Sequence, residues 1–344
     1  MKKLRHDLFV GCYGSPQDST IHWLEFDETD GRLYEVATFS GIENPSFLTI
    51  DRNNGFLYAI SEVEHGQVIS FKIDFADKEL QEISRLPTKG SPCYVELGKA
   101  NDFLFTANYG GGSVIVHKLN QSGMIVEEMD IISYQEPNLH RLSNLHTIRN
   151  IPGTDYFVAT DLGLDKLYFY QFGKESGALR QIQELSLPKG TGPRHLAFHP
   201  YLKKIYVVTE FQSTILAISY DHPLSTIRID QEISMLPKDY HGKSYGAELQ
   251  LAQSGHYLYA SNRGHHSIAI FHVNQDGCLQ FLSCTQTIGE WPRHFTISPQ
   301  GKFLILANEH SNSLHVMNIQ SSGKLQSINE GVLSINRPVC VCFA

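Results

Sequence analysis

A short motif recurs along the chain, and its recurrence limits the fold more than any other feature. The clear copies are Asn44-Pro-Ser-Phe-Leu-Thr-Ile50, Ser91-Pro-Cys-Tyr-Val-Glu-Leu97, Gly192-Pro-Arg-His-Leu-Ala-Phe198, Trp291-Pro-Arg-His-Phe-Thr-Ile297 and Arg337-Pro-Val-Cys-Val-Cys-Phe343. Two weaker copies, Asn144-Leu-His-Thr-Ile148 and Gly246-Ala-Glu-Leu-Gln-Leu251, fill the gaps. With Pro45, Pro92, Asn144, Pro193, Gly246, Pro292 and Pro338 as markers, the separations are 47, 52, 49, 53, 46 and 46 residues. A repeat of this length cannot bury its apolar face alone, and seven copies predict an all-β, seven-bladed propeller.

The segments between the markers supply the remaining strands. About ten residues after each marker comes a β-rich run that ends in a polar residue, such as Phe103-Leu-Phe-Thr-Ala-Asn108 or Ile205-Tyr-Val-Val-Thr-Glu210. An alternating segment such as Ser267-Ile-Ala-Ile-Phe-His-Val273 follows, with the period of two that suits a half-buried sheet. A Gly-x-Leu turn then opens a fourth strand, as at Gly177-Ala-Leu179 and Gly323-Lys-Leu325. Four antiparallel strands per repeat make one blade. The ends are incomplete repeats: Leu8 to Tyr13 and Ile21 to Phe26 have no marker strand before them, and Pro338 to Phe343 is a marker strand with nothing after it. The two ends are therefore expected to complete one blade together, giving a single domain over residues 1–344. Segments Pro137 to Asn144 and Pro237 to Tyr245 exceed hairpin length and are expected as surface loops.

Composition excludes several classes. Net charge is −8, from 28 basic and 36 acidic residues, which argues against a nucleic-acid surface because phosphate backbones need a basic face. No apolar run reaches the length of a membrane span, and the basic N-terminus is not followed by a signal-peptide core. Cys12, Cys93, Cys278, Cys284, Cys340 and Cys342 form no CxxC pair, so they read as reduced thiols of a cytoplasmic protein. The 17 histidines show no metal-ligand spacing, so no metal or cofactor is expected. Gly110-Gly-Gly112 lies between two strands and reads as a hairpin turn, not a phosphate loop.

Antiparallel strands bring the start of the first strand and the end of the second to the same end of a blade. His146, Arg194, His195, Arg293 and His294 come from first-strand starts, and Glu62, Asn108, Asp161, Glu210, Asn262 and Arg263 from second-strand ends. Together they would form a polar, locally basic pocket in an otherwise acidic protein. The plainer reading is structural: the arginines could bond neighbouring carbonyls and the asparagines could satisfy turn backbones. Arg194 and Glu210 stand out, because a buried arginine beside a carboxylate on adjacent strands is costly unless paired or used.

Gly192-Pro-Arg-His195, Glu210, Ser261-Asn-Arg263, Trp291-Pro-Arg-His294 and Ala107-Asn-Tyr-Gly-Gly-Gly-Ser113 together resemble the bacterial lactonase family. That family is typified by the propeller form of 6-phosphogluconolactonase and includes fungal carboxy-muconate lactonising enzymes. The resemblance runs over essentially the whole chain. It departs from the family pattern at Ser143-Asn-Leu-His146, where a Pro-His-x-His style segment is usual. What the resemblance implies is a metal-independent site, with His146, Arg194, Glu210 and Arg263 as working groups and His195 and Arg293 as further candidates; from their strand-end positions His294, Asn262 and Asn108 are expected with His195 and Arg293 as substrate contacts. The implied substrate is a small anionic sugar lactone. In a hydrolase, Glu210 would activate water and Arg194 or Arg263 would stabilise the oxyanion. In a muconate cycloisomerase the same arginines would hold substrate carboxylates. A noncatalytic propeller that serves as an interaction platform is the third reading. The sequence leaves the oligomeric state open.

Overall fold

A computed structural model describes residues 4–134 and 141–344. The first half of the loop expected from Pro137 lies outside the described residues. Among those described, every regular element is a strand, and the strands form seven four-stranded antiparallel sheets. Six sheets are each built from four consecutive strands that open on a marker segment, for example Pro193–Phe198, Lys204–Thr209, Thr214–Tyr220 and Ile227–Ser234. In the seventh, the C-terminal strand Pro338–Phe343 pairs with Arg5–Cys12, which is followed by Ile21–Asp27 and Arg32–Phe39. The two incomplete ends thus complete one sheet, as their missing strands require.

The chain groups into two compact units. One comprises residues 1–7, 25–34 and 190–343, and the other comprises residues 8–24 and 35–189 together with Ala344. Each holds three complete sheets. Within each sheet, burial falls from the inner strands outward: Phe56–Ser61 and Lys204–Thr209 are buried throughout, whereas Glu79–Pro87 and Ile227–Ser234 are largely half-buried or exposed. In the first unit, Tyr206, Val208, Leu258 and Phe271 pack between the sheets that open at Pro193 and Tyr245. In the second, Phe105, Phe157, Tyr168 and Tyr170 do the same between the sheets that open at Pro92 and Leu145. Each such side chain contributes about 2 to 3 kcal/mol when fully buried.

Two local devices recur in the marker strands. The first is a bulge. Pro193 pairs with Thr209 and Leu196 with Val207, so Arg194 and His195 together oppose Val208. Gly246 pairs with Asn262 and Leu249 with Ala260, so Ala247 and Glu248 oppose Ser261. Single-residue shifts fall at Cys93, His146 and Arg293. A bulge breaks the strict alternation of faces and re-aims side chains, which is why it suits a site. The second device is a left-handed residue directly before the marker proline: Asn44, Gly192, Trp291 and Arg337 have φ of 49°, 63°, 62° and 41°. Only Gly192 adopts this without strain, and a Cβ there would lie 2.5 Å from Phe211 Cδ2. For a bulky residue such as Trp291 the conformation is rare and must be held by its surroundings.

Candidate active site

Backbone bonds show how strand ends are brought together. The amides of Glu62, Tyr109, Leu162, Glu210 and Glu309 donate to the carbonyls of Asn44, Ser91, Asn144, Gly192 and Trp291, respectively. These bonds align the repeats residue by residue. His146 takes the place of Arg194 and Arg293, and the weak copy's marker is Leu145, one residue beyond Asn144. Arg263, next to Asn262, which pairs with Gly246, takes the place of Glu210 and Glu309. Glu248 takes the place of His195.

This alignment separates two sets of residues that sequence alone places together. The polar residue at the Asn108 position of these strands bonds to turns of its own or the preceding sheet. Asn108 Nδ2 donates to Ser113 Oγ (3.0 Å), Asn262 Nδ2 to the Met235 carbonyl (3.0 Å), and Asn308 Nδ2 to the Ile288 carbonyl (3.1 Å). Asp161 accepts from Ser143 Oγ (2.6 Å) and the Asn144 amide (2.9 Å). These groups tie turns. The following residue points the other way, as strand alternation demands, and this set holds Glu62, Tyr109, Glu210, Arg263 and Glu309. Glu62 accepts a 2.8 Å bond from the Tyr13 hydroxyl.

Within the first unit, Glu210 sits between two buried arginines. Its Oε2 is 3.1 Å from Arg194 Nε and 2.8 Å from Arg263 Nη2. Arg194 Nη1 also donates to the Ala247 carbonyl at 2.8 Å, and Arg263 Nη2 to the Gly246 carbonyl at 2.9 Å. Both guanidinium groups are thereby held by the bulged strand Tyr245–Leu251, which belongs to the sheet after that of Arg194 and to Arg263's own sheet. Arg293 lies 4.0 Å from Glu309, whose other oxygen accepts from Arg337 at 3.1 Å. The Arg263 guanidinium also lies 5.4 Å from the Trp291 ring centroid, and Trp291 stacks on His310 at 4.6 Å.

The electrostatics follow from this crowding. Burial, with the charges of Arg263 and Arg293, pushes Arg194 down to about 10, so it remains a cation at neutral pH. Burial lowers Arg263 as well, against the pull of Glu210. Burial alone would raise Glu210, but Arg263, Arg194 and Arg293 outweigh it and hold the carboxyl below its ordinary value. A carboxylate stabilised in this way is a weak base, which counts against Glu210 as the group that activates water.

A second cluster adjoins the first. Glu248 Oε2 is 2.7 Å from His195 Nδ1 and 3.2 Å from His294 Nε2, and the Val341 amide donates to His294 Nδ1 at 3.2 Å. Burial, then the charges of Arg194 and Arg293, push His294 down to about 3, so it is neutral. Sequence reading missed Glu248, Glu309 and Arg337. The first was legible in principle, because Gly246-Ala-Glu248 falls in register with Pro193-Arg-His195 and Pro292-Arg-His294.

His146 and Asn108 belong to the second unit. His146 is buried, edge-on to Tyr109 at 5.9 Å, and its carbonyl accepts from Cys93. A recess of about 340 Å³ between Phe103, Phe157 and Phe172 lies in the same unit and contains no candidate residue. Among the described residues, no group of three or more His, Cys, Asp or Glu is arranged to hold a metal ion.

A family model described as "Lactonase, 7-bladed beta-propeller" matches residues 7–343. The chain belongs to this lactonase family. Its seven four-stranded sheets are the blades of the family's propeller. Among the family's curated relatives, a 6-phosphogluconolactonase of Bacillus subtilis is 33% identical over 341 residues, with 97% of each chain covered. Solved lactonase structures are also similar. A putative 6-phosphogluconolactonase of Bacteroides fragilis matches with TM-score 0.89 and 27% identity, covering 99% of this chain and 98% of that one. A periplasmic gluconolactonase of Pseudomonas aeruginosa matches with TM-score 0.91 and 26% identity over 99% of both chains. No described helix is long and apolar enough to cross a membrane.

Proposed function

We propose that this lactonase-family protein hydrolyses 6-phospho-D-glucono-1,5-lactone to 6-phosphogluconate, in the cytoplasm and as a step of the pentose phosphate route. The observation that carries the reading is the buried arginine group. Arg194, Arg263 and Arg293 act on one another electrostatically within a protein of net charge −8. Concentrating guanidinium groups inside an acidic protein is costly, and Glu210, Glu248 and Glu309 offset that cost. A group of arginines held in this way suits a ligand carrying phosphate, or an oxygen that becomes negative during reaction. The likeness to the Bacillus subtilis 6-phosphogluconolactonase supports that substrate.

In this reading the arginines bind the anion and stabilise the tetrahedral oxyanion. Glu210 keeps two of them in place. The test is hydrolysis of freshly made 6-phosphogluconolactone by purified protein, corrected for spontaneous opening. Saturable acceleration that 6-phosphogluconate inhibits is expected. Equal rates on uncharged lactones, with no inhibition by 6-phosphogluconate, would overturn the phosphate assignment.

A further inference from the structure

Trp291 holds a backbone conformation that its own side chain disfavours. Its φ is 62°, in the left-handed region that bulky residues rarely enter. Two bonds keep it there: its amide donates to His266 Nδ1 at 3.0 Å, and its carbonyl accepts from the Glu309 amide at 3.1 Å. Glycine takes up this conformation without strain, as Gly192 does before its own marker proline at φ 63°. A large ring held at such a position by its surroundings points to a use for the ring.

The repeat shows what that use is. One repeat later the same position is Arg337, also left-handed at φ 41°, and its Nη2 donates to Glu309 at 3.1 Å. Glu309 and Arg263 take equivalent places at the ends of second strands. The Trp291 ring lies against Arg263, with the guanidinium carbon 5.4 Å over the ring centroid. In both cases the left-handed residue puts its side chain on the strand-end residue of the preceding sheet: a cation meets a carboxylate in one, and a ring meets a cation in the other.

Arg263 has reason to be held. Only its Nη2 is committed, to Glu210 at 2.8 Å and to the Gly246 carbonyl at 2.9 Å. Nε is buried and has no hydrogen-bond partner among the described residues, and Nη1 bonds none of them either. A guanidinium tied through one nitrogen can still swing about it. An aromatic ring attracts the face of the group, whereas its hydrogen bonds lie in its plane, so a ring against the face limits the swing without competing for the donors. The ring is itself fixed, stacked on His310 at 4.6 Å and 5.9 Å from Tyr245, the cross-strand partner of Arg263.

We propose that Trp291 is a positioning residue for anion binding: its ring fixes the plane of Arg263 so that Nη1 meets an oxygen of the ligand's phosphate or carboxylate. The proposal rests on the anion-binding role given to the arginines above. Trp291 thereby sets affinity for the anion through Arg263.

The test separates ring from bulk, and binding from turnover. By calorimetry, Kd for 6-phosphogluconate should rise about tenfold in Trp291→Gly, which loses the ring but suits the left-handed backbone, and stay within about threefold of the parent in Trp291→Phe, which keeps a ring. Circular dichroism checks that both fold. A purely structural role would change Tm and leave the Kd of folded protein alone, so a folded Trp291→Gly with parental Kd overturns the proposal. Equal losses in the two variants overturn it as well. Fluorescence reads the contact directly, because the chain has two tryptophans and the other, Trp23, is fully buried. An anion that neutralises the cation over the Trp291 ring changes that ring's emission. Adding 6-phosphogluconate should therefore shift the emission of the parent and leave that of Trp291→Phe unchanged; a shift that persists in Trp291→Phe overturns the contact. If the parent opens no lactone above the spontaneous rate yet binds 6-phosphogluconate or inorganic phosphate with this pattern, the hydrolase reading falls and the role of Trp291 stands. A parent that binds neither anion overturns both.

Discussion

At the scale of single residues, Glu210 is a half-buried and Glu248 a buried carboxylate, and their different neighbours set what each can do. Glu210 faces guanidinium groups and is a counter-ion, whereas Glu248 faces imidazoles and can pass orientation to them. Glu210→Gln should therefore loosen Arg194 and Arg263 and raise KM about tenfold, with a smaller effect on kcat. Its stability cost should be about 3 kcal/mol or less, because the side chain keeps 19% exposure and the full penalty of a broken buried pair does not apply. Steady-state kinetics and thermal melts check this. A loss of 10² or more in kcat at unchanged KM would make Glu210 the base after all.

The buried histidines make a second prediction. Burial pushes His117 and His315 down to about 4 and His294 to about 3, each against an ordinary value of 6.5. Only the unfolded chain then takes up these protons as pH falls below 6.5. Stability should accordingly be full above that pH and decline toward pH 4, by at most about 1.4 kcal/mol per pH unit for each histidine. Urea midpoints across this range measure it. A His294→Asn variant should lose part of the slope.

At the scale of elements, much of the fold was legible because each strand carries its own pattern and each turn its glycine. The marker proline and the run after it gave the sheets their order, and the orphan strand Pro338–Phe343 gave the pairing of the ends. The site was legible only in part. Arg194, Glu210 and Arg263 stood out as charges in apolar strands and do meet. The asparagines stood out equally, yet their amides tie turns. What separates them from Glu210, Arg263 and Glu309 is one residue of register, and register across a bulge is set by pairing that no single strand reveals. The bulges also hid Glu248, since Gly246-Ala-Glu248 has neither proline nor a basic residue to announce it. Gly192→Ala tests the turn that precedes a bulge. With φ at 63° and Phe211 at 2.5 Å from the added methyl, it should cost about 1 to 3 kcal/mol and disturb Arg194 and His195 more than its size suggests. A melting temperature equal to the parent's would show that Phe211 simply moves aside.

At the scale of the molecule, the arginine group acts against the net charge of the chain, so its hold on an anion must be short-ranged. Inhibition by 6-phosphogluconate should weaken as salt rises from 0.1 M to 1 M, over which the screening length falls from about 10 Å to about 3 Å. Insensitivity to salt would show that charge attraction does not carry its binding. The chain groups into two compact units. If residues 1–344 nonetheless act as one domain, the protein should melt in one calorimetric transition, and two separated transitions would make it two.

The sheet that holds both ends of the chain has a consequence for how the protein is made. Arg5–Cys12 leaves the ribosome more than 300 residues before its partner Pro338–Phe343. At roughly 5 to 20 residues per second, the nascent chain carries an unpaired strand edge for tens of seconds before its partner exists. That interval is when the protein is most exposed to pairing with the wrong strand, its own or a neighbour's. Slower translation should thus lower the soluble yield, and a holdase that covers Arg5–Cys12 should recover it.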